Sequence, residues 1–150
     1  MILTRSFCDR TLAMQIVIHH CRILLLKGEN AQCVSRGMEA LTSMGHLSLP
    51  PILENPELVA SYEMDLWNQI LDACREHGFA KYFATLPVLK DDYLLAINSV
   101  LVEITAPAAY AAPHLVHTMP LVGISLAFQY GNCLQTAFHV LTSSLLLTFS

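Results

Sequence analysis

Beyond Glu103 the chain has no Asp, Glu, Lys or Arg. From Ile104 to Ser150 its polarity rests on Ser, Thr, Asn, Gln and His alone. Charged residues make up 13% of the whole, about half the ~25% usual in globular domains. A mixed-charge soluble surface is therefore excluded for the final third, which must be covered or otherwise solvated. Basic runs are missing too, and the net charge is -4. Without clustered cations to neutralise phosphates, nucleic-acid binding is excluded. The five cysteines (Cys8, Cys21, Cys33, Cys74 and Cys133) form no CxxC pair and are odd in number. That argues against a disulfide framework and for reduced thiols in the cytoplasm or nucleus. Only six glycines occur, and Gly28, Gly45 and Gly78 stand after expected helix ends. No P-loop, GxGxxG or GxSxG is present, so neither a phosphate cradle nor a nucleophile elbow is expected. The first apolar stretch is broken by Gln15, His19, His20 and Arg22, so it lacks the clean run of a secretory signal.

What is present is apolar. Hydrophobic residues reach 54%, more than the core of one domain this size consumes. The surplus predicts an apolar face that needs a partner.

The periodicity predicts helices throughout. Residues 10–27 are apolar over most of the circumference, which predicts burial on more than one side, with Gly28 as the stop. A second helix over 31–44 is capped by Asn30 and ended by Gly45; Ala31, Val34, Met38 and Leu41 share its face. Residues 46–56 form a connector holding Pro50, Pro51 and Pro56. Asn55-Pro56-Glu57 is the clearest helix start: a capping amide, a proline where no N–H is lost, and an acid on the positive dipole end. That helix runs over 56–77, with a wide apolar arc. A short aromatic segment, 79–86, precedes Pro87, and a fourth long helix follows over 88–104. The Ala- and Pro-rich stretch 105–113 reads as a linker. Pro120 opens a helix to Tyr130, and Gly131 ends it. Asn132 and Gln135 form a capping box for a last helix over 133–148. Its richest apolar face is Leu134, Phe138, Leu141 and Leu145, opposite the polar Gln135, Thr136, His139, Thr142 and Ser143.

No region alternates like a strand, so the expected fold is all-α: about six helices in antiparallel hairpins, as an α-solenoid-like stack or an irregular helical bundle. Residues 1–104 form a charged amphipathic region, and 105–150 a charge-free hairpin packed on it as one domain. The paired helices and two-sided burial resemble an armadillo- or HEAT-like α-solenoid segment. That resemblance is architectural and rests on no repeat motif.

Chemistry is sparse. Cys74 and His77 lie three apart, as do His114 and His117, and His19-His20-Cys21 are adjacent. A zinc site needs about four ligands at ordered spacing, so a core cysteine near a helix-end histidine is the better reading, and no metal or cofactor is expected. Glu63 falls inside the apolar arc, where burial would raise its pKa; a carboxylate at the edge with its head in water explains it as well. Asp91 and Asp92 point about 100° apart and read as a solvated helix start rather than a carboxylate pair. The aromatics Tyr62, Trp67, Phe79, Tyr82 and Phe83 are the candidate interface, with Tyr62 and Trp67 better suited to the core.

The expected function is a non-enzymatic helical protein–protein interaction module or scaffold segment, working in the cytoplasm or nucleus. Its partner is another protein or the remaining repeats of a solenoid. The alternative is a membrane protein using 115–149 as a hydrophobic hairpin. Against it, Pro120 and Gly123 interrupt the first leg, and neither leg has flanking cations. The abrupt change near Ile104–Tyr110 also suits a truncated isoform of a larger helical-repeat protein, with 105–150 as a non-native splice tail.

Overall fold

A computed structural model describes residues 2–43 and 55–148. Among them are seven α-helices and no strand: α1 (Ile2–Leu26), α2 (Asn30–Ser43), α3 (Pro56–Cys74), α4 (Phe79–Thr85), α5 (Asp92–Ala111), α6 (Thr118–Tyr130) and α7 (Leu134–Thr148). A 3-10 turn at Pro113–Leu115 joins α5 to α6. The fold is all-α, an irregular helical bundle. Gly45 and the prolines Pro50 and Pro51 of the expected connector lie outside the described residues.

The start of α3 follows from its sequence. The Asn55 side chain accepts from the Glu57 N–H at 3.0 Å, and Pro56 takes the first turn. Asp91 does the same for α5, accepting from the Leu94 N–H at 2.9 Å with Asp92 behind it. The expected Asn30 cap is displaced by one residue. The Glu29 carbonyl accepts the Cys33 N–H at 3.0 Å, so Asn30 is already helical.

The middle of the bundle is α5. It packs on α1 and α2 on one side and on α6 and α7 on the other. Val100, Leu101 and Ile104 are fully buried there, each contributing on the order of 1.5–3 kcal/mol. Gly37 of α2 lets the two backbones close up, because a Cβ at that position would meet the Ile104 side chain. Arg22 of α1 donates to Glu103 of α5 at 2.7 Å. The anticipated middle hairpin of the third and fourth long helices is replaced. α3 instead packs on α6 and α4, while α5 packs on the first hairpin.

Both ends of α5 differ from the sequence-based expectation. It begins at Asp92, not at residue 88, because 87–89 are held extended. The Leu89 N–H donates to the Asn132 carbonyl at 2.8 Å, and the Asn132 N–H donates to the Pro87 carbonyl at 2.7 Å. Gly131 stands at φ 120°, and a Cβ there would lie 2.7 Å from the Pro87 oxygen, so only glycine fits both the angle and the approach. At its far end α5 runs through the expected linker to Ala111 with Pro107 inside it. A proline in a helix interior costs about 3 kcal/mol. Burial of Thr105, Pro107 and Ala108, together with the strong helix preference of the surrounding alanines, offsets it. The change in composition near Ile104 therefore falls inside one continuous helix.

The wide apolar arcs are not buried on two sides. α1 buries Met14, Val17, Ile18, Cys21 and Leu24, yet Leu12, Ile16, Ile23 and Leu26 face solvent. α3 buries Val59, Leu66 and Ile70 and leaves Leu58, Met64 and Leu71 exposed. α1 packs on α2 and α5, and α3 on α6 and α4, yet in both helices these apolar side chains remain exposed among the described residues.

Candidate interaction surface

α6 is apolar nearly all round, and Thr118 to Ala127 are buried between α3, α5 and α7. α7 closes over it through a tight turn. Its capping box is one residue later than the expected Asn132–Gln135 pair. The Cys133 N–H donates to the Thr136 hydroxyl at 3.1 Å, so Cys133 is the cap. Asn132 is occupied by its bridge to Pro87 and Leu89, and the Gln135 amide donates to the Ser99 hydroxyl of α5 at 3.0 Å.

That start fixes which side of α7 faces inward, and it is the polar one. Thr136, His139 and Ser143 are buried, while Leu134 (87% exposed), Leu141 (60%), Leu145 (50%) and Phe138 (37%) face outward. Gly123 makes this possible: its missing side chain leaves room for the His139 ring, which a Cβ would strike. The imidazole is fully buried, and burial lowers its pKa from 6.5 to about 4, so it is neutral at pH 7. Among the described residues its two nitrogens, the Ser143 hydroxyl and the Asn98 carbonyl oxygen have no hydrogen-bond partner. Each such group costs roughly 1–3 kcal/mol. The helix therefore lies with its apolar row away from the core, at a cost to the fold.

Beside that row, between α4 and α7, runs an open groove of about 480 Å³. Phe79, Ala80 and Phe83 form one wall, and Ala137, Val140 and Leu141 the other. The Phe83 ring is 4.6 Å from Phe79 and 5.2 Å from Phe128 of α6, and Tyr82 meets Phe128 edge-on at 5.1 Å. Of the five aromatics singled out by the sequence, the groove brings together Phe79 and Phe83. Tyr82 is on the same short helix but spends its ring on Phe128. Tyr62 and Trp67 are half-buried on α3 against the core and do not line the groove. Burial pushes the Tyr62 hydroxyl pKa up. The outward leucines and Phe138 were visible in the sequence as a face, but their direction was not.

The chemical candidates are dispersed. Glu63, expected at the edge with its head in water, is half-buried and accepts from the buried Thr118 hydroxyl at 2.5 Å, tying α3 to the first turn of α6. Cys74 ends α3, and its pKa is raised by burial. His77 lies in the turn beyond, beside Glu76. Cys21 and Cys33 meet where α1 crosses α2, the Cys21 thiol 3.7 Å from the Cys33 carbonyl; burial pushes Cys33 up to about 12, too high for a reactive thiolate. Among the described residues, no three His, Cys, Asp or Glu side chains gather as a metal site would require. Protein-family profiles, curated proteins and solved structures contain no match to this chain.

Proposed function

We propose that this chain is a non-enzymatic helical protein–protein interaction module or scaffold segment, whose working surface is the outward face of α7 with the α4 groove. The observation that carries the reading is the inverted α7: polar Thr136, His139 and Ser143 inside, Leu134, Phe138, Leu141 and Leu145 outside. A helix accepts buried polar groups and exposed leucines when the exposed row has a use. The exposed apolar sides of α1 and α3 fit the same reading and suit further helices stacked in the manner of an armadillo- or HEAT-like solenoid. Free buried thiols suit work in the cytoplasm or nucleus.

The test is retention of proteins from a cell extract by the immobilised full chain and by Leu141→Glu, compared quantitatively. The module reading expects a defined set of proteins held by the wild type and lost by the variant. Identical profiles, with the variant folded, contradict it.

The same inverted helix favours a second reading, membrane association through 115–149. Its weakness is length. α6 has 13 residues and α7 15, against about 20 for a span. α5, at 20 residues, is apolar enough, but more than half of that stretch is buried inside the bundle. Flotation of the full chain with phosphatidylcholine vesicles, abolished by Leu141→Glu, would select this reading over the first.

A further inference from the structure

Building on the interaction-module reading, we infer that the partner on this face is a second copy of the same chain. The spacing of the outward row is the first argument. Leu134, Phe138, Leu141 and Leu145 follow one another at four, three and four residues, the step of a helix–helix seam. Single exposed leucines are ordinary; a row at this step along a whole solvent face is what one helix offers another.

Charge is the second argument. The seam is flanked by Gln135, Ala137, Thr142 and Ser144, all uncharged. In paired helices, charges at these flanks choose the partner and repel the wrong one. Here nothing selects a foreign helix and nothing repels an identical one. A lipid surface is the poorer occupant, since interfacial helices carry Lys or Arg beside their apolar face and α7 has neither.

Self-complementarity is the third. A two-fold interface uses one patch on both copies, so that patch must supply both a projection and a recess. This one does: Leu134, 87% exposed, projects from α7, and the groove walled by Phe79 and Phe83 opens on the adjoining side of the same helix. In a two-fold pair, Leu134 of each copy enters the groove of the other. A 15-residue helix is about 22 Å long, so with the groove the contact falls at the small end of specific interfaces, below roughly 1,200 Å² in total. The dimer is therefore weak and concentration-dependent.

Sedimentation equilibrium of the purified full chain tests this without any other protein present. The expected result is a mass that climbs from 16.6 kDa toward twice that over roughly 1–500 µM. Leu141→Glu should weaken association at least ~30-fold, and Phe138→Ala should weaken it less, both with unchanged far-UV circular dichroism. A wild type that stays monomeric throughout overturns the inference. So does a dimer that Leu141→Glu leaves intact, or a chain that disperses only with detergent or lipid. A monomer that still holds extract proteins through Leu141 overturns the second-copy inference alone and leaves the module reading standing.

Discussion

α2 and α7 are helices of nearly equal length, 14 and 15 residues, and they face opposite ways. α2 buries Cys33, Val34, Ala40 and Leu41 and turns Gln32 and Glu39 to water. α7 buries Thr136, His139 and Ser143 and turns Leu134, Leu141, Leu145 and Leu147 to water. The difference lies in what each has to offer solvent. α2 carries charged groups, whose desolvation forbids turning it over. α7 carries none, so neither face is forbidden to the interior, and local geometry decides. The Cys133–Thr136 cap, the Gln135–Ser99 hydrogen bond and the space at Gly123 all favour the polar face inward.

The contrast can be broken from either side. The largest effect is expected in the ordinary helix: Leu41→Ala removes a side chain 2% exposed and should lower unfolding free energy by about 2–5 kcal/mol in a urea titration. Acid acts on the inverted helix through His139. The His139 pKa is about 4 in the fold and 6.5 in its ordinary state, so below pH 6.5 the unfolded chain binds a proton that the fold refuses. This contribution is whole above pH 6.5 and is lost as pH falls toward 4, about 3 kcal/mol in all; His139→Leu should flatten that part of a stability–pH profile. Gly123→Ala places a methyl against the imidazole and should cost about 1–3 kcal/mol, recovered when combined with His139→Ala. The smallest effect is expected on the outer row: Leu145→Ser, at a position 50% exposed, should change thermal stability by no more than about 0.5 kcal/mol. A loss as large as that of Leu41→Ala would mean that α7 is turned the other way.

How much of this was legible in the sequence depends on whether the signal was local. Asn55-Pro56-Glu57 gave the start of α3 because cap, proline and acid act within one turn. The all-α class followed from periodicity in every segment. The end of α5 was misread because Pro107 was weighed as a local breaker, while the burial that outweighs it comes from helices distant in sequence. The start of α5 was misread because Pro87–Leu89 bond to Asn132, which no local pattern shows. The surface was half legible. The sequence defines the apolar row of α7 and singles out Phe79 and Phe83 among its five aromatics, but it leaves the direction of the row open, because without charge neither side of the helix is held to solvent.

Thiol labelling of α7, located by mass spectrometry at low micromolar concentration, tests its orientation most directly. The chain carrying Leu141→Cys should be labelled at position 141 as fast as the denatured protein, and the chain carrying Ser143→Cys should be protected at 143 until it unfolds. Fast labelling at 143 with protection at 141 would contradict the inverted helix and every functional reading placed on its outer face.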